Sequence, residues 1–207
     1  MQRMSSSASS TDGVMNHLDG MNVFSNGAFY VLNGGPSAYA SSTTETSLFT
    51  GETPVTIGQP PNQSTYGSTR YMGPSMFNQG SMFGIDLFGT IANMSTPNLT
   101  LRLGFVDTSN TFNVLATTGA VAMSNISGTC LLHVSGGFNI IAGGSGGSVN
   151  AFIGCEYGPT LISIFSPLTA TSIDLTKIYK LDILATWGTS SASNTMVLKY
   201  GAIELIG

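Results

Sequence analysis

Residues 178–207 read IYKLDILATWGTSSASNTMVLKYGAIELIG, and this stretch decides the fold. Tyr179, Leu181, Ile183, Ala185 and Trp187 fall on one side of an extended segment, and Ile178, Lys180, Asp182, Leu184 and Thr186 on the other. A period of two marks a half-buried strand. A polar loop, Gly188 to Asn194, precedes a second strand rich in β-branched and aromatic residues, Thr195 to Ile206. On it Thr195, Val197, Ile203 and Leu205 share one face, and Met196, Leu198, Tyr200, Ala202 and Ile206 the other. Both faces are therefore largely apolar, and such a strand needs a cover. A subunit interface would supply one, at about 25 cal/mol per Å² of apolar surface. Phe88, outward on its own strand, joins Met196, Leu198, Tyr200 and Ile206 as subunit-interface candidates.

Upstream, the same alternation recurs. Phe83, Ile85, Leu87, Gly89 and Ile91 alternate with smaller or polar residues, and Leu99, Leu101, Leu103 and Phe105 do so more cleanly. Short strands are expected at residues 111–117, 120–123, 129–135, 138–142, 150–157, 160–165 and 172–175. No helical period runs through this region. The expected fold is all-β: a jelly-roll-like antiparallel β-sandwich over residues 83–207. Two four-stranded sheets would suit the count.

Residues 1–82 read differently. The first twenty are Ser-rich, and a long stretch from Gly34 mixes Ser, Thr, Gly, Asn and Gln with Pro36, Pro54, Pro60, Pro61 and Pro74. The prolines exclude helix. Aromatics are spaced singly, so they look like anchors rather than a core face. The expectation is a long extended N-terminal arm, ordered by assembly, with Phe24, Phe29, Tyr30, Tyr39, Phe49, Tyr66 and Tyr71 as its contacts to another subunit.

Composition narrows the function classes. Only 8% of residues are charged, against about 25% in an average soluble protein. Six Lys and Arg are scattered through a chain of net charge −4, so no nucleic-acid partner is expected. The N-terminal MQRMSSSASSTDG lacks the apolar core of a signal peptide, and no apolar run approaches about 20 residues, so no membrane is expected either. Cys130 and Cys155 lack metal spacing and read as free thiols.

Chemistry is sparse. His17 and His133 stand alone, the ten carboxylates are spread singly, and no serine sits in a G-x-S-x-G elbow. The glycine-rich run 143–148 lacks the Lys-Ser/Thr ending of a phosphate loop and reads as a connection between strands. No catalytic residue, metal ligand or cofactor is assigned. Trp187, the one tryptophan, reads as core, with stacking on a sugar ring as the alternative.

The blocks TPNLTLRLGF from Thr96, VLATTGAVAM from Val114, GGSGGSVNAFIGCEYG from Gly143 and ATSIDLTKIYKLDILATWGTSSASNT from Ala170 carry a resemblance. They resemble the jelly-roll structural proteins of tailed bacteriophage virions, most distinctively in the run Ala185 to Thr195. The resemblance spans roughly the C-terminal half. It implies a β-sandwich assembled as a homotrimer, without catalysis. It also implies a place on the virion, at the capsid surface after assembly in the host cytoplasm, with the major capsid protein as partner. A capsid decoration or cement protein is the expected role. A tail or fibre module binding host-surface glycan through Trp187 is the alternative.

Overall fold

A computed structural model describes residues 14–18, 21–24, 28–33, 39–40, 43–49, 70–158 and 162–206. The strands in chain order are β1 (Val14–Leu18), β2 (Met21–Phe24), β3 (Ala28–Asn33), β4 (Tyr39–Ala40), β5 (Thr46–Ser47) and β6 (Tyr71–Met72). Then follow β7 (Met82–Asn93), β8 (Asn98–Val106), β9 (Phe112–Thr117), β10 (Val121–Ala122) and β11 (Ile126–Ala142). The series closes with β12 (Ser148–Tyr157), β13 (Ile162–Phe165), β14 (Thr169–Ser172), β15 (Tyr179–Trp187) and β16 (Thr195–Leu205). Among the described residues the only helical turn is a 3-10 turn at Pro74–Met76.

The fold is an all-β sandwich of two antiparallel sheets. The large sheet runs β13-β12-β11-β7-β16-β3, with β14 also on β12 and β4 also on β16. The small sheet runs β10-β8-β15-β5, with β9 on β8 and β6 on β15. Strands β1 and β2 pair with each other. Alternation explains the core. Tyr179, Leu181, Ile183, Ala185 and Trp187 of β15 are all buried, as are Leu99, Leu101, Leu103 and Phe105 of β8. They face Phe83, Ile85, Leu87 and Ile91 of β7 and Leu132, Val134, Phe138 and Ile140 of β11. Aromatic rings join the layers: Phe105 meets Phe138 edge-on at 5.3 Å, and Phe138 stacks on Phe83 at 4.6 Å.

Three features depart from the sequence expectations. First, β11 is one strand, where a break was expected between Ser135 and Phe138. Gly136 and Gly137 interrupt the apolar pattern but not the ladder, which continues through Gly136↔Ile153 and Gly137↔Gly84. Second, the expected strand at 172–175 lies earlier, at Thr169–Ser172. Asp174 accepts from both the hydroxyl and the amide of Thr176, closing a turn there.

Third, the residues of β16 are sorted between its two faces differently from simple alternation. Its pairing with β7 slips by one residue between Leu198↔Gly89 and Tyr200↔Phe88. The extra residue, Lys199, is a β-bulge. Before it Met196 and Leu198 point into the core; after it Ile203 does. A straight strand would put Leu198 and Ile203 on opposite faces, and the bulge puts them on one. The strand therefore puts Met196, Leu198 and Ile203 in the core and leaves Tyr200 and Ile206 on the outer side.

The sandwich also takes in residues from before position 83. Strands β3 and β4 extend the large sheet from β16, and β5 and β6 add to β15. Leu48, Phe49, Met72, Met76 and Phe77 are buried in its core.

Candidate functional site

The outer side of the large sheet is where the surface chemistry concentrates. Register places Tyr200, Phe88, His133, Glu156 and Ser163 side by side on β16, β7, β11, β12 and β13. Their side chains form a continuous row. The Phe88 ring stacks on Tyr200 at 5.3 Å and on His133 at 4.5 Å. His133 Nδ1 stands 3.6 Å from Glu156 Oε2, and Ser163 Oγ donates to Glu156 Oε1 at 3.1 Å. His133 Nε2 lies 2.5 Å from Asp86 Oδ1. A carboxylate only accepts, so Nε2 carries the proton.

This row holds its own members in place. Ser163 donates to the Glu156 carboxylate and not to the His133 imidazole. Both faces of Phe88 are covered, and what it presents outward is a ring edge. Among the described residues no group of three or more His, Cys, Asp and Glu could hold a metal ion.

Beside the row, three outward glycines lie under large neighbours. A Cβ at Gly84 would meet the Ile206 side chain, one at Gly137 the Phe152 ring, and one at Gly154 the Phe165 ring. Ile206, Phe152 and Phe165 therefore lie across the sheet, which levels the face beside the aromatic row. Phe152, Phe165, Tyr200 and Ile206 belong to this outer side, as do Met82, Leu131 and Ile141. These are seven of the ten large apolar side chains exposed among the described residues, and no strand of the small sheet carries one. The levelled apolar face is thus a property of one sheet.

No known protein family, characterised protein or solved structure matches the chain. The likeness to phage jelly-roll proteins rests on the quoted sequence blocks alone.

The candidate residues fall in different places. Phe88 and Tyr200 meet in the aromatic row, and Ile206 lies at its side over Gly84. Met196 and Leu198 do not join them: at 1% exposure each is core, because the bulge turns them inward. Phe49 is also buried, under the Arg70 guanidinium 3.8 Å above its ring, so it binds its own chain and cannot reach a capsid. Tyr71 lies half-buried in β6, paired with Lys180. Phe24 lies in β2, Phe29 and Tyr30 in β3, and Tyr39 in β4. Tyr66 lies outside the described residues. Trp187 is 0% exposed and stacks on no ligand from there. Burial removes the anchor of the glycan reading.

His133, Asp86, Glu156, Phe152, Phe165, Leu131 and Met82 escaped the sequence reading as a group. Each occupies an outward position of its strand, opposite the buried residues. For Phe152, Phe165, Leu131 and Met82, a large apolar residue at such a position was the signal. Both cysteines are free thiols. Burial, then the neighbouring Glu156 carboxylate, pushes the Cys155 thiol up to about 12. It is inert at neutral pH.

Proposed function

We propose that the protein is a non-enzymatic virion structural protein, a capsid decoration (cement) protein that binds the major capsid shell and stabilises it as an oligomer. The observation that carries this reading is the levelled apolar face on the outer side of the large sheet. Apolar patches beyond a few hundred Å² are uncommon on monomers and mark contact surfaces. The low charge of the chain supports the same reading, as does the resemblance of its C-terminal half to phage structural proteins. In this role the protein acts through multivalent buried area, each contact weak alone and strong in an array.

The test is particle-based. Capsids of the encoding virus, purified with and without this protein, are compared by mass spectrometry and by heat-induced DNA release. Copy number matched to the shell symmetry, with release at lower temperature when the protein is missing, is the expected result. Detection on tails and not on heads would discard the reading.

A further inference from the structure

We propose that a buried water molecule sits at the Trp187 end of the sandwich and joins the indole N–H of Trp187 to the side-chain carbonyl of Asn194. This internal site, with water as its ligand, lies where the chain passes from one sheet to the other. It is separate from the face given to the capsid, and neither reading depends on the other.

Two atoms point to it. Trp187 Nε1 is a donor and Asn194 Oδ1 an acceptor, and both are buried with no hydrogen-bond partner in the chain. Among the described residues no other buried side-chain nitrogen or oxygen is left so. Trp187 is 0% exposed and Asn194 1%. Leaving a buried polar group unpaired is costly, and native proteins pair such groups with protein or with ordered water. The carboxamide of Asn194 cannot turn over to help itself. Its Nδ2 donates to the Thr189 carbonyl at 2.9 Å, and a flip would set oxygen against oxygen.

Topology brings the two atoms to one end of the core. Trp187 is the last residue of β15, and Asn194 stands directly before β16. Asn194 shares the inward phase of Met196 and Leu198, so it enters the core from the large sheet as Trp187 does from the small one. The connection between them is drawn in at both ends. The Gly188 N–H donates to the Asn98 carbonyl at 2.8 Å, and the Asn194 N–H to the Ser191 carbonyl at 2.9 Å. Stacked sheets pack about 10 Å apart, so inward side chains from opposite sheets come within reach of one bridging molecule.

The site is also polar, as a held water requires. Four polar or charged side chains are buried among the described residues. Arg70 and Asp182 serve each other, and the other two, Asn93 and Asn194, belong to this end. Thr195 pairs with Ala92, so Asn93 is the next position along β7, beside Asn194. Asn93 Nδ2 donates to the Ser95 and Ser124 carbonyls, and its Oδ1 accepts from the Ile126 N–H, which leaves that oxygen one more lone pair. A water that accepts from Trp187 has two protons to give, one to Asn194 Oδ1 and one to Asn93 Oδ1. Three bonds are the usual complement of a buried water.

Trp187 is the one tryptophan of the chain, so its indole N–H gives a single signal in an isotope-labelled sample of the full chain. A rotating-frame Overhauser experiment reads whether a water proton lies against it, and the sign of the cross-peak separates bound water from exchange with solvent. The expected result is an Overhauser peak to water. Asn194→Leu removes the acceptor and should abolish that peak. A crystal structure of the wild type depends on no variant's folding, and it should show one water within about 3.2 Å of both Trp187 Nε1 and Asn194 Oδ1. An indole N–H without a water peak would overturn the proposal. So would a peak of wild-type strength in Asn194→Leu, or two separate waters that each touch one atom.

Discussion

Arg70 Nη1 lies 3.0 Å from Asp182 Oδ1, and both side chains are out of solvent. The same nitrogen donates to the Leu181 carbonyl at 2.7 Å, and the guanidinium covers the Phe49 ring. Asp182 also accepts from Ser47 and from its own strand at Ile183. One carboxylate thus fastens two upstream segments to the closing strand β15. Arg70→Ala leaves that carboxylate buried without its cation, which costs about 3–5 kcal/mol. Replacing both partners, as in R70M/D182L, should cost far less. Chemical denaturation of the three variants measures the difference.

The second prediction concerns a chain that starts at Met82. It lacks Leu48, Phe49, Met72, Met76 and Phe77, all core residues, and it strands Asp182. Each lost core side chain costs about 2–5 kcal/mol against a total stability of about 5–15 kcal/mol. The fragment 82–207 should therefore fail to give a cooperative melt by circular dichroism. A sharp melt near that of the full chain would refute the role given to these residues.

Gly89 is the third site. A Cβ there would stand 1.9 Å from the Val197 carbonyl oxygen and 2.9 Å from the Leu198 Cα, both backbone atoms. Backbone cannot rotate away as a side chain can. Gly89→Ala should cost about 3 kcal/mol, the high end for overpacking. Gly73→Ala, at a position with open space around the Cβ, is the matched control.

Stability should also respond to alkaline pH through Cys155. Its thiol is raised from 9.0 to about 12 in the folded chain. Between those values the unfolded chain loses the proton and the folded chain keeps it. The contribution is full below pH 9 and is lost as the pH rises toward 12. The slope is about 1.4 kcal/mol per pH unit. Denaturation of wild type and Cys155→Ala at pH 8 and pH 10.5 should give a gap that shifts against wild type by about 2 kcal/mol.

Trp187 supplies the fifth prediction. It closes the core at the end of β15 opposite Leu99. Its indole N–H makes no hydrogen bond among the described residues, so Trp187→Phe breaks no bond within the chain. Trp187→Ala should cost about 3–5 kcal/mol and Trp187→Phe clearly less. Binding of any glycan that survives W187F unaltered would place its site elsewhere.

The parts of the fold legible in the sequence were those where one rule acts without interruption. In β8 and β15 every inward residue was read correctly, because neither the period nor the phase changes along them. β16 defeated the same rule, since alternation assumes an unbroken phase and the bulge at Lys199 shifts it. That single slip turned Met196 and Leu198 from core residues into interface candidates. The aromatic row was illegible for another reason. Its members come from five strands, and only the register brings Tyr200 beside Phe88 and Phe88 beside His133. Arg70 and Asp182 are 112 residues apart, and neither stands in a pattern that names the other. Phe49 looked like an isolated anchor and is one, but the body it anchors to is its own.

The bulge in β16 has a consequence for how the chain tolerates changes in length. Lys199 is a surplus position: remove it, and Leu198 and Tyr200 keep their partners Gly89 and Phe88, with core and surface residues still sorted as before. Remove Leu198 instead, and closing the bulge brings Lys199 into the core position opposite Gly89. The local bend of β16 is thus encoded by a count of residues and not by their kind, and an indel map of this strand would show its tolerated deletions at the bulge, at Lys199 or Tyr200.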